Sequence, residues 1–159
     1  MIKVGDKLPD IGFKTMGENG PEPVSAEDLF KGKKVVLFSV PGAFTPTCSA
    51  KHLPGFVEKS GDIKAKGVDT IACVAVNDAF VMGAWGKDQN VGDNVVMLAD
   101  GSGEWTNALG LELDLNAAGL GMRGQRFAMI VDDGTVTHLA VEEGGAFDVS
   151  SAEKILAAL

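Results

Sequence analysis

Apolar runs of strand length, set apart by segments with helical spacing, constrain this chain more than any other feature. Val35-Val-Leu-Phe-Ser-Val40 and Ile71-Ala-Cys-Val-Ala-Val76 leave almost no polar side chain for a wet face, so both read as buried strands. Val95-Val-Met-Leu-Ala99 reads as a third. A helical segment starting near Cys48 joins the first two. Phe56, Val57 and Ile63 form its inner face, Pro54 bends it and Gly67 ends it. Asp78 caps a helix over 79–87, and a short helix at 104–109 follows Asp100-Gly-Ser-Gly103. Residues 126–131 form a fourth strand, Asp133-Gly134 a hairpin turn, and 136–142 a fifth strand. Ser150-Ser-Ala-Glu153 has the form of a capping box for a closing helix that runs to Leu159. Residues 1–33 read as irregular, with a turn cluster at Gly17-Glu-Asn-Gly-Pro21 and one helical turn at 25–30 capped by Ser25.

Strand–helix–strand–helix–strand, then a hairpin and a helix, is the order of an α/β sandwich. The first strands are parallel through crossovers and the hairpin adds an antiparallel part. That is the order of a thioredoxin-like fold, a central mixed sheet flanked by helices, here with an N-terminal extension. With 159 residues and no repeat or linker, residues 1–159 are expected to form one domain.

The chemistry is expected where the first strand breaks. Pro41-Gly42 ends it, Thr45 suits an N-cap and Pro46 suits the first helical position. Cys48 then falls in the first turn, beside unpaired N–H groups and the positive end of the helix dipole, a setting that favours the reactive thiolate. Thr45 stands one turn earlier, so its hydroxyl can share the space of the sulfur, and Pro41 supplies a rigid apolar wall. His52, one turn later, either tunes the sulfur or packs on the bent helix. Gly119-Leu-Gly-Met-Arg-Gly-Gln-Arg-Phe127 brings Arg123 and Arg126 to the mouth of the fourth strand. Arginine keeps its charge and can hold a thiolate and a polar oxygen substrate. On strand alternation, Arg126 shares a face with Ala128 and Ile130. Cys73, inside an apolar run, reads as a core thiol.

A formal charge of −8 and no basic cluster argue against binding nucleic acid or an anionic membrane. No apolar span is long enough to cross a bilayer, and the N-terminus resembles neither a signal nor a transit peptide, so a cytoplasmic location is expected. Two cysteines without a Cys-x-x-Cys spacing make neither a disulfide scaffold nor a dithiol exchange site, and fit a reducing compartment. The two histidines are far apart, so no metal or other cofactor is expected.

The Pro-x-x-x-Thr-x-x-Cys spacing of Pro41, Thr45 and Cys48 resembles the active-site signature of peroxiredoxins. Cys48-Ser-Ala-Lys-His-Leu-Pro-Gly-Phe56, Val76-Asn-Asp-Ala-Phe-Val-Met-Gly-Ala-Trp85, Ala99-Asp-Gly-Ser-Gly-Glu104 and Arg126-Phe-Ala-Met-Ile-Val131 are similar to the type II, or atypical fifth-class, subfamily. The resemblance runs nearly end to end. It implies a thiol peroxidase that reduces hydrogen peroxide and alkyl hydroperoxides through a sulfenic acid, in antioxidant defence and redox homeostasis. Cys48 matches the peroxidatic cysteine. Thr45 matches the threonine that bonds thiolate and peroxide, Pro41 the shielding proline, and Arg126 the arginine that stabilises the thiolate and polarises the peroxide. His52 matches a recurrent histidine of the subfamily, a supporting position, and Arg123 is a neighbour to which the resemblance assigns no definite role. Homodimers are implied. Some relatives place a resolving cysteine before the last helix, where this chain has Gly144-Gly-Ala-Phe-Asp-Val-Ser150. An external thiol, glutathione with glutaredoxin or else thioredoxin, is therefore the implied reductant. A redox sensor or chaperone-like scaffold is the alternative, distinguished by oxidation without turnover.

Overall fold

The computed structural model describes residues 1–159. It opens with a hairpin of β1 (Phe13–Gly17) and β2 (Gly20–Val24), where irregular structure was expected. Pro21, Glu22 and Pro23 are poor strand formers. They are tolerated because β2 is an edge strand of the main sheet, where a missing N–H breaks no inner ladder. From there to α5 the elements follow the expected order. α1 (Ala26–Phe30) is capped by Ser25, whose hydroxyl accepts from Asp28 N at 3.0 Å. β3 (Lys34–Ser39) leads through a loop and a helical turn to α2 (Leu53–Glu58) and α3 (Ser60–Ala65). This helical segment breaks at Lys59 as well as ahead of Pro54, and Gly67, at φ +93°, ends it. Then come β4 (Thr70–Ala75), α4 (Ala79–Asp88) capped by Asp78, β5 (Val96–Ala99) and α5 (Glu104–Ala108).

A second unexpected pair, β6 (Glu112–Leu115) and β7 (Gly121–Gly124), forms its own small sheet. Both strands are only four residues long: β6 alternates as Glu-Leu-Asp-Leu but is too short to stand out, and two of the four residues of β7 are glycines. β8 (Phe127–Asp132), β9 (Thr135–Val141) and α6 (Ala152–Ala158) complete the chain. Arg126 therefore lies just ahead of its strand, not inside it. The cap of α6 also differs from the expected box: Ser151 accepts from Lys154 N at 3.3 Å, while Ser150 bonds Glu142 instead.

The main sheet runs β2-β1-β5-β4-β3-β8-β9. β3, β4 and β5 are mutually parallel, while β8 is antiparallel to β3 and β9 to β8. Strand alternation sorts the core into two layers. Val36, Phe38, Cys73, Ala128 and Ile130 meet Phe56, Ile63, Met82, Trp85 and Ile155 on one face. Val35, Leu37, Val74, Leu98, Phe127 and Met129 meet Leu29, Phe30 and Trp105 on the other. The helices so distributed make this a thioredoxin-like α/β fold. No helix is long and apolar enough to cross a membrane.

Candidate active site

The loop after β3 is tied down on several sides. Ala43 N donates to Asn77 Oδ1 at 3.0 Å, which fastens the loop to the end of β4. Arg123 Nη1 makes a long bond, 3.4 Å, to Pro41 O, and Arg123 Nε donates to Leu120 O at 2.8 Å. Arg123 thus braces the loop and does not bond the sulfur. Gly42 leaves room for the Arg123 guanidinium: a Cβ there would stand 2.9 Å from Arg123 Nη1 and 3.2 Å from Thr45 Cγ2, and would push the guanidinium aside. Phe44 takes a left-handed φ of +64° and is 54% exposed. Thr45 Oγ1 donates to Gly42 O at 2.7 Å. Its single hydroxyl proton is committed to the loop, and no hydrogen bond joins it to Cys48 Sγ. Towards a peroxide, Thr45 has acceptor lone pairs to offer rather than the donor the resemblance implied.

The helix starts at Pro46, as its residue types indicate, and Ser49 N closes the first turn on Thr45 O at 3.0 Å. The backbone N–H groups of Thr47 and Cys48 have no acceptor in the protein, so they remain as donors beside the sulfur. Cys48–His52 then forms a π-helical turn, with Leu53 N donating to Cys48 O. An uninterrupted α-helix was expected up to Pro54. Pro54 has no N–H to donate, and its ring would press on the carbonyl four residues back, so the preceding turn widens. Ser49 Oγ accepts from Trp85 Nε1 at 3.1 Å, which fixes this turn against α4.

Cys48 is fully buried. Arg126, only 9% exposed, donates from Nη2 to Cys48 Sγ at 3.1 Å and from Nη1 to His52 Nδ1 at 2.8 Å. His52 Nε2 donates in turn to Ser150 O at 3.0 Å. These bonds require the neutral Nε2–H tautomer. The chain's ion pairs all involve surface lysines, so no carboxylate pairs with the buried guanidinium. A buried cation without a counter-ion is costly. The atom within reach that can carry the balancing charge is the sulfur, as a thiolate. His52, grouped in the sequence with the sulfur, therefore acts on Arg126 instead.

Aromatic rings close this chain of bonds. Phe38 stacks on Phe56 at 4.1 Å, and His52 packs 4.8 Å from Phe38 and 5.1 Å from Phe147. Burial, then the Arg126 charge, push the His52 pKa down to about 3, against the Ser150 carbonyl and Glu142, which oppose the shift. Unfolded, His52 titrates near about 6.5. Above that value both states are neutral and the shift has no effect on stability. Below it the unfolded chain binds a proton that the folded chain refuses. Stability is therefore lost as pH falls from about 6.5 towards about 3, by at most about 1.4 kcal/mol per unit. Urea midpoints measured across that window check it, and His52→Asn flattens the slope.

Cys73 shares the core cluster of Cys48 but sits within β4, fully buried, between Phe38 on β3 and Met97 on β5. Burial, then the nearby Cys48, push its thiol well above the ordinary range, with Arg126 opposing. It is a protonated core thiol at neutral pH. Both cysteines are free, and no cluster of metal-ligating side chains exists.

Glycine 42 and Glu142 are the participants the sequence reading missed. Gly42 left a weak signal beside Pro41; Glu142 left none. Glu142, at the end of β9, is buried and accepts on Oε2 from Asp148 N (2.7 Å), Ser150 N (2.9 Å) and Ser150 Oγ (2.7 Å). Burial would raise its carboxyl, but these bonds outweigh it and hold the pKa below the usual value.

Known proteins resemble this chain over almost its full length. A family model described as Redoxin matches residues 3–156. Peroxiredoxin-2B of Arabidopsis thaliana is 56% identical over 159 residues, spanning 99% of this chain and 98% of that one. The chloroplastic Peroxiredoxin-2E of the same plant is 54% identical over 162 residues, spanning 99% of this chain and 69% of that one. Reduced Prx3 from Vibrio vulnificus in complex with H2O2 superposes with a TM-score of 0.95, is 54% identical, and is covered to 99% as this chain is. The chain belongs to the peroxiredoxin family of thiol peroxidases, in its type II branch.

Proposed function

We propose that Cys48 is the peroxidatic residue of a hydroperoxide reductase recycled by an external thiol. The observation that carries this reading is the 3.1 Å bond from a buried, carboxylate-free arginine to the Cys48 sulfur. The thiolate attacks one peroxide oxygen, forming an S–O bond as the O–O bond breaks. The electron pair leaves on the second oxygen, which takes a proton and departs as water or alcohol. Charge moves from sulfur to that oxygen during the step, so donors aimed along the S–O–O line lower the barrier. Arg126 and the free N–H groups of Thr47 and Cys48 are those donors. Thr45 accepts from the peroxide's own hydroxyl, and Pro41 shields the sulfur from water. A peroxide offers few contacts, so positioning does much of the work.

The sulfenic acid then condenses with an external thiol, releasing water and leaving a mixed disulfide. A second thiol displaces the protein sulfur and is itself oxidised to disulfide. Glutathione with glutaredoxin is the proposed reductant pair, with thioredoxin as the competing one. The absence of a cysteine at 144–150 and the burial of Cys73 favour an outside thiol. The sulfur has no exposure, so the turn that carries it must open for the reductant. Exposed Phe44, Phe80, Leu120 and Met122, on the 41–45 loop and the elements bonded to it, suit an isologous homodimer, which sedimentation equilibrium reads. Two free thiols fit a reducing, cytoplasmic setting.

Peroxide consumption with glutathione and glutaredoxin, set against thioredoxin, tests the proposal. Cys73→Ser keeps most of the turnover with the favoured reductant. Loss of turnover in Cys73→Ser equal to that in Cys48→Ser would make Cys73 a working resolving thiol and remove the external-thiol scheme.

A further inference from the structure

Glu142 is a buried carboxylate to which the chemistry above assigns nothing. Its carboxylate bonds all run to the segment that crosses the site. Oε2 collects Asp148 N, Ser150 N and Ser150 Oγ within 2.9 Å, and Glu142 N donates to Arg126 O at 2.9 Å. One residue thus joins the main chain of Arg126 to the loop at 143–150. That loop carries two groups that touch the site. The Ser150 carbonyl accepts from His52 Nε2, and the Phe147 ring lies against His52 and 6.0 Å from Arg126 Cζ.

We infer that Glu142 is a positioning residue for the chemistry of Cys48: its carboxylate pins Ser150, the Ser150 carbonyl fixes the His52 ring, and the ring holds Arg126 on the sulfur. The inference deepens the peroxidase reading and rests on it. The logic is one of lone pairs. A neutral imidazole has one N–H and one lone pair. With Ser150 O taking the N–H at Nε2, the lone pair must face Arg126 Nη1. A guanidinium held at Nη1 can rotate little, so Nη2 stays on Cys48. Protonated His52 would have no lone pair and would repel Arg126.

Burying His52 is the second task of the latch: the Ser150 carbonyl and the Glu142 charge by themselves favour a protonated ring, and the burial that keeps it neutral depends on the loop they hold, which seats Phe147 on the ring. The groups facing the ring are Cys48 on its own turn, Arg126 ahead of β8 and Glu142 at the end of β9. Phe38, Phe56 and Phe147 add only apolar walls from β3, α2 and the loop. Releasing Ser150 lifts Phe147, admits water and lets His52 take a proton near its ordinary pKa.

The test uses Glu142→Gln, which keeps the size but offers a weaker acceptor to three donors. Side-chain nitrogen NMR of His52 and alkylation of reduced Cys48 by iodoacetamide are measured from pH 5 to 8. Neither needs peroxide turnover. His138 is assigned by His138→Gln. Wild-type His52 stays a neutral Nε2–H ring throughout. In Glu142→Gln it titrates with a midpoint near about 6.5, and alkylation and peroxide oxidation below that pH fall by about ten- to a hundredfold. Adding His52→Asn, which keeps an acceptor near Nδ1 and cannot be protonated, removes the acid limb. Ser150→Ala, which deletes one donor but keeps the carbonyl, shows the same change at smaller size and carries the test if Glu142→Gln does not fold. An untitrated His52 in the variants, or a loss of rate with an unchanged pH profile, overturns the assignment. A wild-type protein that does not consume peroxide defeats the peroxidase reading instead, and leaves the NMR result to decide the latch.

Discussion

Arg126→Ala slows oxidation of Cys48 by hydrogen peroxide by about two to three powers of ten, the scale of losing one transition-state donor at about 2.7–4 kcal/mol. Two effects act together. The variant removes the only charge bonded to the sulfur, so negative charge there loses its partner. It also removes the donor that would follow charge onto the departing oxygen. Stopped-flow Trp fluorescence reads the rate, since Trp85 bonds Ser49 beside the sulfur. Arg126→Lys recovers only part of the rate, because a point charge cannot bond Cys48 and His52 in the fixed fork of a guanidinium. Arg123→Ala serves as the contrast. It loosens the Pro41 loop through one long bond and leaves the sulfur's partner in place, so its effect is smaller. Equal losses in the two alanine variants would take Arg126 out of its role.

Cys48→Ser abolishes peroxide turnover with every reductant, down to the uncatalysed background. A serine hydroxyl remains protonated at neutral pH and forms no counterpart of the sulfenic acid, so neither half of the cycle proceeds. Cys73 cannot take over. Its thiol is protonated and is held fully buried within β4, inside the core cluster. Residual catalytic consumption of peroxide in Cys48→Ser would place a second reactive thiol in the chain. Coupled assays with both reductant systems check this.

Much of this site was legible in the sequence because its parts are local. Pro41, Thr45, Pro46 and Cys48 announce a strand end and a helix start in eight residues, and the structure builds both. Alternation on β8 also placed Arg126 with Ala128 and Ile130, on the face that carries Cys48. What spacing could not show was tertiary. Thr45 spends its proton on Gly42 O, a choice among nearby acceptors that a residue type does not reveal. His52 bonds Arg126 because the chain returns 74 residues later. Glu142 had no motif, since its partners are main-chain groups of a loop. The two hairpins were missed for a related reason. Prolines and glycines in β2 and β7 lower local strand preference, and pairing with a neighbour overrides it.

Burial of the arginine without a carboxylate is the central point, because it makes the sulfur the natural seat of negative charge. Single-turnover oxidation tests it most directly. Reduced protein is mixed with one equivalent of hydrogen peroxide, and the product is located by mass analysis of its peptides. The account predicts one added oxygen, at Cys48, formed far faster in the wild type than in Arg126→Ala, with Cys73 unmodified. Oxygen appearing first at Cys73, or at Cys48 with no dependence on Arg126, would contradict it.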